Sequence, residues 1–235
     1  MVGRASEYVI CHRRKLMTVV NDIQLDQQQH LVLSDVDWEF YEHVLGKIGN
    51  RPIRVSFFEG TIEIMAPLSR HEIAKSAIGR LIESLAFELD IDLLPAGSTT
   101  FRREDKSAGL EPDECYYTKS AARIQSRGQV ESSGDPPPDL AVEIDITRRS
   151  VARQPIYAAL GVPELWRFDG QSLEVLILKD RGKYERSPQS LSLPFLPMEQ
   201  FTGFVNRMLT ENQNKVLRDF RKWIVGLPID RDKLR

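Results

Sequence analysis

One unbroken apolar stripe constrains this chain more than any other feature. Ile73, Ala74, Ala77, Ile78, Leu81, Ile82, Leu85, Ala86 and Leu89 recur at three- and four-residue intervals, which places them on one face of an α-helix. Such a face must lie against another layer, because each Å² of apolar surface left in water forfeits roughly 25 cal/mol. Ser69 and Glu72 stand before the stripe in the S-x-x-E pattern that satisfies two free backbone N–H groups, so the helix is expected to open with a capping box.

Strand-like segments surround it. Arg54 to Phe58 and Thr61 to Met65 are β-prone runs joined by Glu59-Gly60, a two-residue hairpin connection, and Pro67 closes the second run. Upstream, Val36, Phe40, Tyr41, Val44, Leu45 and Ile48 have helical spacing, with Ser34 and Asp37 placed as caps and Gly49 as the stop. Downstream, Thr99 to Arg103, Glu114 to Thr118 and Leu140 to Ile146 read as strands, the last bounded by Pro136-Pro137-Pro138, with a mobile loop over about residues 119–137 between the last two. A short helix through Ile156 to Leu160 stops at Gly161, and Glu164 to Phe168 with Leu173 to Leu178 makes a second hairpin about Asp169-Gly170. Helical spacing returns from Met198 to Val225, with Lys215, Arg218, Arg221 and Lys222 on the polar side. The expected fold class is α/β or α+β.

Residues 1–30 read as a loosely held arm, 31–197 as the main domain and 198–235 as a helical extension packed on it. No apolar run approaches the roughly 20 residues that cross a bilayer, and no leader pattern opens the chain, so a cytoplasmic location without membrane contact is expected. Cys11 and Cys115 are too few for a disulfide framework, and both are expected to be reduced. A net charge of -2 and a pI near 6.1 exclude a generic basic nucleic-acid coat. Any affinity for phosphates must come from local groups such as Arg102, Arg103 and Lys106, or Arg148, Arg149 and Arg153.

The chemistry gathers on two segments. Along Asp139 to Asp145 the strand period of two sends Leu140, Val142 and Ile144 to one face and Asp139, Ala141, Glu143 and Asp145 to the other. Ionised carboxylates in such a row repel unless a cation sits among them, and a hard ion such as Mg2+ takes oxygen ligands of this kind. Asp113 lies in Glu111-Pro112-Asp113, 30 residues before Glu143, so pairing of the two strands would let the carboxylates meet. Read alone, the two acids could equally be a solvated strand end and a surface ion pair. Asp139 could cap the proline-rich turn, Glu63 could be the polar side of its hairpin, and His71 could be a structural hydrogen-bonder at a helix start.

Read together, Gly60 to Pro67 with His71, Leu110 to Cys115, Pro137 to Glu143 and Ile156 to Glu164 are similar in order and spacing to a bacterial restriction-endonuclease family of the PD-(D/E)XK superfamily. The resemblance covers residues 34–185. It implies a mixed sheet flanked by helices and an Mg2+-dependent endonuclease acting on DNA, with Mn2+ as a substitute ion. Asp113 and Glu143 would be the metal ligands, with Glu63 and His71 nearby. The superfamily's lysine commonly stands two residues after the second acid, where this chain has Asp145. That residue could fill the vacated position, contact metal or pair with Arg148. In the resembled family the lysine stands four residues before the tyrosine equivalent to Tyr157, and here that residue is Arg153. Arginine keeps the charge but cannot act as a general base. The alternative is therefore a catalytically impaired module that binds DNA or a partner, and a further one is hydrolysis of another phosphate ester. Two-fold partners are common in the superfamily, which makes a homodimer an expectation too.

Overall fold

The computed structural model describes residues 30–49, 51–128, 130, 135–146 and 152–229. Most of the expected arm, together with Cys11, Arg148 and Arg149, lies outside the described residues. In chain order the elements begin with β1 (His30–Leu33), α1 (Trp38–Ile48), β2 (Arg54–Phe58), β3 (Thr61–Met65) and α2 (Ser69–Leu89). The middle of the chain supplies β4 (Leu94–Pro95), β5 (Phe101–Arg103), β6 (Ala108–Leu110), β7 (Glu114–Tyr117), α3 (Ala121–Gln125) and β8 (Leu140–Ile144). The last third forms α4 (Gln154–Leu160), β9 (Glu164–Phe168), β10 (Leu173–Lys179), β11 (Lys183–Ser187), α5 (Met198–Thr210) and α6 (Gln213–Val225).

Among the described residues the strands make two sheets. One has the order β1-β3-β2-β6-β5 and is antiparallel throughout. Its centre is the hairpin read from sequence, turned by Glu59 at φ 45° and Gly60 at φ 81°, the left-handed pair that a two-residue hairpin needs. The other has the order β11-β10-β9-β8-β7-β4 and is mixed, since β8 and β9 run parallel while its other pairs are antiparallel. The fold is α+β, and the six-stranded sheet is the mixed sheet flanked by helices that the sequence leads one to expect. The antiparallel sheet beside it is an addition, because β1 and β6, which extend the hairpin on either side, are too short to announce themselves.

Each apolar stripe has found its layer. Tyr41 of α1 packs with Val55, Phe57 and Ile62 on one face of the antiparallel sheet. Ile78, Leu81, Ile82 and Leu85 of α2 join Leu140, Val142 and Ile144 of β8, Trp166 and Phe168 of β9, and Phe201, Val205, Phe220 and Ile224 of α5 and α6. Tyr157 and Leu160 of α4 pack with Ala141, Leu165, Cys115, Leu110 and Ala108. As a result β8 is buried along its whole length. The face that carries Ala141 and Glu143 is interior too, covered by α4, because a strand with a parallel neighbour commonly carries helices on both sides.

Several local expectations are corrected. The helix α2 begins one residue early, so Leu68 is its N-cap, without a side-chain cap bond, and the Ser69/Glu72 capping box does not form. Ile73, assigned to the apolar face, is half exposed at 50%. The stretch 119–137 is not loop throughout, since it holds α3. The C-terminal helical run is broken between α5 and α6, where Asn212 Oδ1 accepts the Lys215 N–H at 3.1 Å and starts a second helix. No helix among the described residues is long and apolar enough to cross a membrane.

Candidate active site

At Glu111-Pro112-Asp113 the chain leaves the antiparallel sheet, after β6, and enters the mixed one at β7. In the β7–β8 pairing Glu114 faces Val142 and Cys115 faces Ala141, and extending that register by one residue sets Asp113 opposite Glu143. The connection is more than positional: Asp113 Oδ2 accepts the backbone N–H of Ile144 at 2.7 Å. The same oxygen lies 3.0 Å from His71 Nε2, which comes from the first turn of α2. Since a carboxylate only accepts, Nε2 carries the proton in this contact. Asp113 is fully buried and His71 is 6% exposed.

The second acid is held from α4. Arg153, the N-cap residue of that helix, donates from Nη1 to Glu143 Oε1 at 2.9 Å and Oε2 at 3.2 Å. Tyr157, one turn later, donates its hydroxyl to Oε1. The Tyr157 N–H bonds the Arg153 carbonyl at 3.0 Å, and this helical i, i+4 relation sends both side chains to one carboxylate. Glu143 is 3% and Arg153 7% exposed. Burial works against the guanidinium charge, but the negative charges of Glu143 and Asp113 outweigh it and hold the Arg153 pKa above its ordinary value. Burial first, and then the charge of Glu143, push the Tyr157 hydroxyl well above the usual range. Tyr157 therefore stays a proton donor.

A ring of supporting charges surrounds these groups. Arg54, buried on β2, bonds the Glu111 carboxylate and reaches the Pro112 carbonyl at 3.4 Å and Glu72 Oε1 at 3.9 Å. Lys75 donates to Ser98 Oγ at 3.0 Å and lies 3.8 Å from both Glu72 and Glu114. Burial raises the pKa values of Glu111 and Glu114, the nearby cations opposing it only in part.

Of the six residues singled out in the sequence, Asp113, His71, Glu143 and Arg153 are linked by these contacts. Glu63 is buried on the antiparallel sheet, where Ser56 Oγ lies 3.4 Å from its carboxylate. Asp145 follows the end of β8, its N–H given to the Phe168 carbonyl at 2.7 Å. Asp139 does not cap the proline-rich turn in these contacts: its Oδ2 accepts the N–H groups of Thr118 and Lys119, just past β7, at 2.8 and 3.0 Å. Arg102 and Arg103, considered for phosphate contact, pair with Glu42 and Asp105 instead. Sequence reading passed over Tyr157 and Arg54 as site residues. The four-residue step from Arg153 to Tyr157 was an available signal, as was an arginine opening the β-prone run Arg54 to Phe58.

Mg2+ needs only one or two protein oxygens beside water and substrate phosphate. Asp113 and Glu143 are the residues that could hold it. Among the described residues no three His, Cys, Asp or Glu side chains gather about one point.

A mixed sheet flanked by helices, with paired acids on its inner strands, belongs to the restriction-endonuclease-like class. Residues 38–209 match the model of the Uma2 family, described as "Putative restriction endonuclease", and this chain belongs to that family. Among solved structures the chain is similar to a protein from Anabaena variabilis ATCC 29413 described as "a putative nuclease belonging to DUF820", with 16% identity over 72% of this chain and 90% of that one and a TM-score of 0.43. No curated protein matches the sequence.

Proposed function

We propose that this protein hydrolyses DNA phosphodiester bonds with a divalent ion, Mg2+ or Mn2+, held by Asp113 and Glu143. Membership of a restriction-endonuclease family supports the reaction class. The observation that carries the reading is that Asp113, immediately before β7, falls opposite Glu143 of β8 when the β7–β8 register is extended by one residue, and that its Oδ2 accepts the Ile144 N–H. A divalent ion at such a pair supplies Lewis-acid polarisation of a phosphoryl oxygen.

The chain's own groups have separable tasks. His71 and the Ile144 N–H orient Asp113 by binding one of its oxygens. Tyr157 holds Glu143 by one oxygen. Arg153 brings a permanent positive charge that can steady negative charge building on the phosphoryl group, and it cannot take a proton from water. Glu63 and Asp145 would support the site from its margins.

A second reading is favoured by the hold of Arg153 on both oxygens of Glu143. On that reading the site is catalytically impaired and the protein binds DNA or a partner. Plasmid incubation with Mg2+ or Mn2+ separates the two. Cleavage by the wild type that is lost in Asp113→Ala supports the nuclease, whereas wild-type silence relieved by Arg153→Lys supports the impaired module. Inactivity of both proteins on plasmid, with turnover of a small phosphodiester, would move the substrate away from DNA.

A further inference from the structure

We infer that Arg153 is a built-in counter-ion that competes with a divalent cation for Glu143, so that cation binding requires the guanidinium to release the carboxylate. This rests on the reading of Asp113 and Glu143 as the ligand pair, and it adds a resting state in which the pair is closed by the protein itself.

The geometry points this way at four places. Nη1 of Arg153 touches both oxygens of Glu143, at 2.9 and 3.2 Å. The Tyr157 hydroxyl takes Oε1 as well, so the carboxylate is gripped from two points one helical turn apart. Arg153 also feels the charge of Asp113, which places its positive charge where it offsets both acids. Finally, Arg153 Nε is buried and makes no hydrogen bond among the described residues, so the guanidinium is not locked from its stem side and has a donor to spare for an incoming acceptor.

Charge arithmetic gives the consequence. A divalent ion approaching Glu143 meets a fixed positive charge already within hydrogen-bond distance, in a setting where water screens little. Arginine cannot shed its proton to make room, whereas a lysine at the same place has a more compact charge on a flexible stem and loses its proton readily when buried. The step is therefore an exchange of cations at one carboxylate. No covalent bond changes.

The test is a calorimetric titration of the full chain with Mn2+, comparing wild type, Arg153→Lys, Arg153→Gln and each of these with Asp113→Asn added. Both Arg153 variants should bind Mn2+ at least tenfold more tightly than wild type, and Asp113→Asn should abolish the gain. Equal, Asp113-dependent affinity in wild type and both variants would overturn the competition and leave the ligand pair standing. Absence of Asp113-dependent binding from every protein would overturn both. Should the glutamine variant not fold, the lysine variant, whose amine can shed its proton to admit the ion, decides the matter alone.

Discussion

Asp113 accepts the backbone N–H of Ile144 at 2.7 Å, which binds the first acid to the residue immediately after the second. The carboxylate thus serves the sheet as well as the site. Asp113→Ala leaves a buried N–H and a buried imidazole without their acceptor, a loss worth about 1–3 kcal/mol. Urea denaturation should record it, while Asp113→Asn, which keeps an acceptor oxygen, should lose less. Equal destabilisation by the two would show that the hydrogen bond contributes nothing.

Glu114 makes stability depend on pH. Burial raises its pKa above the ordinary 4.5, with Lys75 lowering it in part and Glu83 and Asp113 raising it. The folded chain therefore takes up this proton at higher pH than the unfolded chain, and stability contributed by protonation is lost as pH rises from about 4.5 through the folded value. Glu114→Gln should raise Tm at pH 7 and change it little at pH 4. A variant that lowers Tm at pH 7 would mean that the 3.8 Å pairing with Lys75 outweighs the burial.

Arg54 is the clamp on the segment that presents Asp113. Its guanidinium joins Glu111, the Pro112 carbonyl and the first turn of α2. Arg54→Met strands the Glu111 carboxylate, and since that group keeps some contact with solvent the cost should be about 2 kcal/mol rather than the larger penalty of a fully buried charge. Arg54→Lys should recover part of it. Chemical denaturation measures both, and an unchanged midpoint in the methionine variant would remove the clamp from the account.

Gly109 and Tyr41 form a steric pair. A Cβ at Gly109 would stand 2.7 and 2.8 Å from Tyr41 Cζ and Cε1, and closer still to the hydroxyl oxygen. Gly109→Ala should cost about 2–3 kcal/mol through overpacking. The Tyr41 hydroxyl is buried without a hydrogen-bond partner among the described residues, so Tyr41→Phe should be neutral or stabilising, by up to about 1 kcal/mol. Combined with Gly109→Ala it should restore part of the loss. Additive effects in the double variant would show that the two positions do not meet.

Features governed by neighbours in the sequence were legible before the structure. The turn at Glu59-Gly60 depends on two residues that adopt positive φ, and the Asp37 cap depends on a side chain reaching the N–H three residues on. The apolar stripe from Ala74 to Leu89 obeys a helical period whatever lies opposite. Ser69 misled because a helix has one N-cap, and Leu68 takes that position with its extended backbone at φ -83°, ψ 154°. The short strands β4 and β6 were hidden because two or three residues carry no period. They are strands only through the partners that hydrogen-bond them.

By itself the sequence determined the alternation along Leu140 to Ile144, the stop at Gly161 and the nuclease-family pattern that sets Asp113 and Glu143 apart by a fixed length of chain. Only the tertiary structure decided that α4 lies over β8, that Arg153 and Tyr157 both reach Glu143, and that Asp113 accepts from the next strand. The reason is physical: spacing constrains which side chains share a face, whereas the identity of a buried charge's partner depends on which surfaces pack together, and that is a property of the whole chain.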